Sequence, residues 1–68
     1  MTVEETVAYV HSQTACALIE LEAMKAENAY RAMRGETQAY SEQAFSDLIV
    51  HYGIHHNAVI GLFQDARR

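Results

Sequence analysis

The chain has 68 residues, half of them hydrophobic, with a formal net charge of −4 and no proline. Five Lys and Arg residues in so acidic a chain are too few for a phosphate-binding surface, which argues against direct DNA or RNA binding. No apolar run approaches the roughly 20 residues of a membrane span. The beginning of the chain carries Glu4 and Glu5 and lacks the basic region of a signal peptide, so we expect a cytoplasmic protein.

The small size of the chain predicts self-association. One domain over residues 1–68 seldom buries enough apolar surface to fold well alone, and small domains compensate with disulfides, metals or oligomerisation. Cys16 is the single cysteine, so no disulfide forms within the chain, and we predict that it is a small buried hydrophobe. Oligomerisation is the remaining route, and we expect at least a homodimer.

The first predicted element is a long helix over about residues 3–34. Thr2 followed by Glu5 predicts a capping box, in which each side chain satisfies a free backbone amide at the helix start. Gly35 suits the left-handed backbone that ends many helices. Arg34 falls in the last turn, where the helix dipole favours cations.

A loop over about residues 35–40 leads to the second predicted helix, about residues 41–66. Ser41 is the expected N-cap, with Thr37 as the alternative. A short connection between two long helices makes them antiparallel neighbours. The fold class is therefore all-α, an antiparallel two-helix hairpin that dimerises into a four-helix bundle.

Gly53 is the weak point of the second helix. We expect the helix to continue through it, with a break at Gly53 and a new start capped by Asn57 as the alternative. A break would convert residues 51–57 into a second loop.

Helix one carries two stripes at the alternating spacing of three and four residues that is typical of coiled coils. The first seam consists of Val3, Val7, Val10, Thr14, Ala17, Leu21, Met24 and Asn28. The second stripe consists of Tyr9, Ser12, Cys16, Ile19, Ala23, Ala26, Tyr30 and Met33. Helix two covers one of these faces, and the other requires a further partner.

The residues expected in the hairpin core or the dimer interface come from both helices. They are Val10, Ala17, Ile19, Leu21, Met24, Phe45, Leu48, Tyr52, Val59 and Leu62.

No residue set predicts catalysis or a cofactor. His51 and His55 are one helical turn apart and are the weak candidates for metal ligands, but a zinc site needs further ligands. An interface histidine is the better interpretation, and Glu20, Glu22 and Glu27 are expected on a solvated face. We therefore expect no enzyme, no metal and no cofactor.

The candidate partner-binding residues lie at the hairpin tip: Tyr30, Met33, Arg34 and Tyr40. Tyr, Met and Arg are enriched in protein interfaces, because they bury much area and Tyr and Arg also form hydrogen bonds. The alternative is that the tyrosines only cover the end of the bundle.

These features favour a small regulator or inhibitor that acts by direct binding to another protein. In length, acidic charge and helicity the chain resembles the small helical proteins that phages make to inhibit bacterial host proteins. That resemblance implies a cytoplasmic target such as a transcription regulator or a defence protein, blocked at a basic surface. The alternatives are a structural or assembly subunit that only self-associates, and a dimer that binds a small ligand.

Overall fold

Three helices make up the secondary structure of residues 1–67, the part of the chain that the computed structural model describes. α1 spans Val3–Met33, α2 spans Glu42–His51 and α3 spans His56–Ala66. Both α2 and α3 contact α1, so the second half of the chain returns along the first. This arrangement confirms the all-helical hairpin. None of the described helices has a stretch that is both long and apolar enough to cross a membrane.

The ends of α1 are formed as the sequence predicts. The Glu5 backbone N–H donates to Thr2 Oγ1 at 3.0 Å, and the Thr2 backbone N–H donates to Glu5 Oε1 at 2.9 Å. The bond from the Thr2 backbone is the main cause that holds the pKa of the Glu5 carboxyl below its ordinary value. At the other end Gly35 has a φ of +72°, and the Glu36 N–H donates to the Arg31 carbonyl at 2.8 Å, which completes a Schellman cap.

The second predicted helix is not continuous, and the expectation of one helix over residues 41–66 is wrong. Ser41 caps α2 as predicted, but α2 ends at a second Schellman cap, in which Gly53 has a φ of +64°. The Ile54 N–H donates to the Ile49 carbonyl at 3.1 Å in that cap. His55, rather than Asn57, is the N-cap of α3, where its Nδ1 accepts from the Ala58 N–H at 3.4 Å. Gly53 can adopt either a helical or a left-handed backbone conformation, and in this structure it is left-handed.

The predicted core residues are covered to different degrees. Ala17, Met24 and Leu48 are buried, and the half-buried positions are Val10, Leu21, Phe45, Tyr52, Val59 and Leu62. Ile19 is the exception, because its side chain is 72% exposed, and it contributes nothing to the hairpin core.

The hairpin is one layer of helices. Its Cα atoms extend over 53 × 18 × 10 Å, so the layer is two helices wide and one helix thick. The radius of gyration is 15.6 Å, whereas a compact domain of this length has a value of about 11 Å. Both flat faces of the layer are therefore open.

Candidate protein-binding site

The last turn of α1 presents three of the four predicted partner-binding residues together, and we call Tyr30, Met33 and Arg34 the tip cluster. The Met33 side chain is 86% exposed, and Tyr30 is exposed as well. The Arg34 guanidinium lies over the Tyr30 ring, 5.2 Å from its centroid, in a cation–π contact. Arg34 Nη2 also pairs with Glu36 Oε1 at 2.6 Å, so two neighbours orient this side chain.

Tyr40, the fourth predicted residue, lies on a different side of α1. Its backbone is held by the Asn28 side chain, which donates from Nδ2 to the Tyr40 carbonyl at 2.9 Å. Asn28 Oδ1 in turn accepts from the Tyr40 N–H at 3.0 Å. Asn28 and Tyr30 are two residues apart on a helix, so they point in nearly opposite directions. The structure thus ties the loop to α1 through Asn28 and leaves Tyr40 outside the tip cluster.

The two flat faces of the layer differ in chemistry. On one face lies an apolar groove of about 220 Å³, lined by Thr14, Ala17, Leu18, Leu21, Phe45, Leu48, Ile49 and Ile54. On the other face lies a groove of about 300 Å³, lined by Glu20, Met24, Tyr40, Ala44, Asp47, Leu48 and His51. Most of its lining is apolar as well, but it includes two carboxylates, a tyrosine and a histidine, and we call it the polar groove for these groups. Leu48 reaches both grooves and forms their common floor.

Glu20 joins α1 to the end of α2 beside the polar groove. The Tyr52 hydroxyl donates to Glu20 Oε2 at 2.5 Å, and the Gln13 side-chain amide donates to the Tyr52 carbonyl at 3.1 Å. The hydrogen bond to Glu20 is the main cause that raises the pKa of the Tyr52 hydroxyl above its ordinary value of 10.0, with desolvation second. Glu20 is therefore a structural partner of Tyr52 rather than part of a free solvated face.

Several residues with roles in these surfaces were missed from the sequence. Asn28 was placed in the first seam as one more packed position, although an Asn among apolar seam residues signals a specific hydrogen bond. Leu18 was not singled out, and Ile49 was assigned only to the broad apolar face of helix two, yet both line the apolar groove and are 56% and 48% exposed. Leu18 follows Ala17 of the first seam, which is the signal that could have found it.

The histidines and the cysteine lie in surroundings of different kinds. Within residues 1–67, no three His, Cys, Asp or Glu side chains come together as a group that could hold a metal ion. His51 meets the Tyr52 ring edge-on with 4.9 Å between ring centroids, and His55 is used as a helix cap. Cys16 is exposed, so the prediction of a buried cysteine is wrong. It belongs to the second stripe, which the returning helices leave uncovered along its length.

Comparison of the chain with protein-family models, with curated proteins and with solved structures found no match. The functional inference therefore depends on the surfaces of the hairpin itself.

Proposed function

We propose that this chain is a small homodimeric regulator that inhibits another protein by direct binding through its tip cluster. The observation that carries the proposal is the 86% exposure of Met33 beside an ordered pair of Tyr30 and Arg34. Tyr and Arg are enriched in binding hot spots and Met is enriched in protein interfaces, so three such side chains on one exposed helix end support a binding site there.

The order of the tip supports the proposal further. The ion pair with Glu36 and the cation–π contact with the Tyr30 ring hold the Arg34 guanidinium in place. Side chains that are already placed lose less conformational freedom when a partner binds, so more of the contact energy appears as affinity.

The proposed target has a basic surface. The tip cluster itself carries only the cation Arg34, which pairs with Glu36, so the acidic charge lies on the rest of the chain. The net charge of −4 speeds the encounter with a basic partner and disfavours acidic ones. Together with the resemblance to phage-made inhibitors in size, charge and helicity, this favours a bacterial transcription regulator or defence protein as the class of target.

The test is affinity capture from bacterial lysate with the wild type, Tyr30→Ala and Tyr9→Ala. Tyr9 is the matched control, because it is an exposed tyrosine on the same stripe of α1, about 32 Å from Tyr30 along the helix. We expect one protein to be retained by the wild type and by Tyr9→Ala. Its affinity for Tyr30→Ala should fall by about 30-fold, the effect of losing a hot-spot residue.

Equal retention by all three proteins would place the binding surface away from the tip cluster. No specific partner for the wild type would favour a structural subunit that only associates with itself.

A further inference from the structure

The apolar groove is an uncovered surface without charge. Of the eight side chains that line it, seven are apolar and the eighth is Thr14. Its two rims are formed by Leu18 on α1 and by Ile49 on α2, both about half exposed. Large aliphatic side chains on either side of an apolar floor are typical of a helix layer that lacks its second layer.

The area of the hairpin indicates how much surface remains to be covered. Its accessible surface is 5089 Å², about 750 Å² more than a compact folded monomer of 7.7 kDa exposes. A stable protein interface buries about 800 Å² on each partner. This excess is spread over the whole elongated hairpin, and it is close in size to the area that one side of a dimer interface buries.

We propose that a second copy of this chain covers the apolar groove, with two-fold symmetry, and that the two layers form a four-helix bundle. The inference deepens the homodimer of the proposed function by assigning its interface. The face has both parts that a self-complementary contact needs, because the Leu18 and Ile49 rims of one copy project towards the groove of the other.

The absence of charge along the apolar groove favours a second copy of the chain over a partner of opposite charge, because such a partner would find no charged group there to pair with. Two chains of net charge −4 repel each other unless their acidic groups are kept apart. Glu20 and Asp47 line the polar groove on the opposite face, so contact through the apolar grooves leaves these carboxylates in water on the outside of the bundle.

The second stripe then lies outside the dimer, although its residue Ile19 was expected in the hairpin core or the dimer interface. It runs along a side of α1 that α2 and α3 leave uncovered, and much of it consists of small or polar residues: Ser12, Cys16, Ala23 and Ala26. Because Tyr30 and Met33 belong to this stripe, the dimer leaves the tip cluster free to bind a target.

Two neighbouring residues of α1 make it possible to test the apolar groove and the second stripe separately. Leu18 lines the apolar groove, whereas Ile19 belongs to the second stripe and is 72% exposed. The experiment uses the purified full chain with Cys16→Ala, to which either Leu18→Cys or Ile19→Cys is added. The rate of thiol labelling by a maleimide is measured over a range of protein concentrations, and helicity by circular dichroism shows that both variants are folded.

We expect labelling at position 18 to slow by about tenfold or more as the concentration rises through the dimer dissociation constant, because the dimer covers it. Labelling at position 19 should not change. Equal rates at both positions at every concentration would overturn the inference, and so would protection at position 19 alone.

The outcome is separate from that of the proposed function. A monomer that still captures a target through Tyr30 would overturn the dimer interface and leave the tip proposal intact. A dimer that is protected at position 18 and captures no target would overturn the tip proposal alone.

Discussion

The two faces of the α1–α2 layer share Leu48 but are built for different tasks. Beside the polar groove Glu20 accepts a hydrogen bond from Tyr52, and Tyr40 is held at its place by Asn28. The apolar groove has buried Ala17 and Leu48 at its floor, and its rims at Leu18 and Ile49 remain about half exposed. The comparison teaches that specific polar contacts fix how the helices pair, while much of the apolar surface is left for association with another chain.

The largest expected effect comes from a charge placed on the apolar face. Leu18→Asp should abolish the dimer, because each subunit would bury an unpaired carboxylate at a cost of about 3–5 kcal/mol. Ile19→Asp, one residue away on the second stripe, should leave the dimer intact. Sedimentation equilibrium of the two variants checks this difference, and a dimer that survives Leu18→Asp but not Ile19→Asp would reverse the assignment of the faces.

The next effect concerns the floor that both faces share. Leu48→Ala should lower the free energy of unfolding by about 2–4 kcal/mol, since it leaves a cavity under both grooves. Val50→Ala is the control, because Val50 is 66% exposed and lines neither groove, and it should change stability by less than about 0.5 kcal/mol. Urea unfolding at one fixed protein concentration measures both. Similar losses for the two variants would mean that Leu48 is not the common floor.

A smaller effect is expected at the loop. Asn28→Ala removes both hydrogen bonds to the Tyr40 backbone, and we expect a loss of about 1–2 kcal/mol. Hydrogen exchange at the Tyr40 amide should become about tenfold faster or more, while amides in the middle of α1 change less. Unchanged exchange at Tyr40 would show that the loop is held by other contacts.

The smallest effect is specific to the polar face and depends on pH. The folded-state pKa of Tyr52 is raised above 10.0, so the stability it contributes is fully present below pH 10 and is lost as the pH rises through the folded-state value. Tyr52→Phe should therefore be slightly less stable than the wild type at pH 7, and the two should converge at strongly alkaline pH. Thermal unfolding at several pH values checks this, and a constant difference up to pH 12 would contradict it.

The local structure of the hairpin was readable from the sequence wherever one residue type has one strong use. Thr2 with Glu5 and Gly35 fixed the ends of α1, and Ser41 fixed the start of α2. The sequence did not determine whether the helix continues through Gly53. An interior glycine can either continue a helix or end it, and tertiary contacts determine which of the two occurs. For the same reason His55 was not predicted as a cap, because it can be the N-cap of α3 only where α2 has already ended.

The surfaces were harder to predict than the helices. Periodicity correctly placed Ala17 and Met24 towards the returning helices. It did not determine which stripe of α1 stays uncovered, since spacing alone does not show how far a neighbouring helix covers each side of α1. Leu18 and Ile49 are exposed because the hairpin is only one helix thick. That thickness depends on how the helices pack, and the spacing of residues in the sequence does not reveal it.

The most direct test of the account is the solution mass and length of the wild-type chain, measured by light scattering and small-angle X-ray scattering. Layers stacked through their apolar faces should give twice the monomer mass of 7.7 kDa, with a particle hardly longer than the 53 Å hairpin and about twice as thick. A mass of 7.7 kDa at high concentration, or a dimer nearly twice as long as the hairpin, would contradict it.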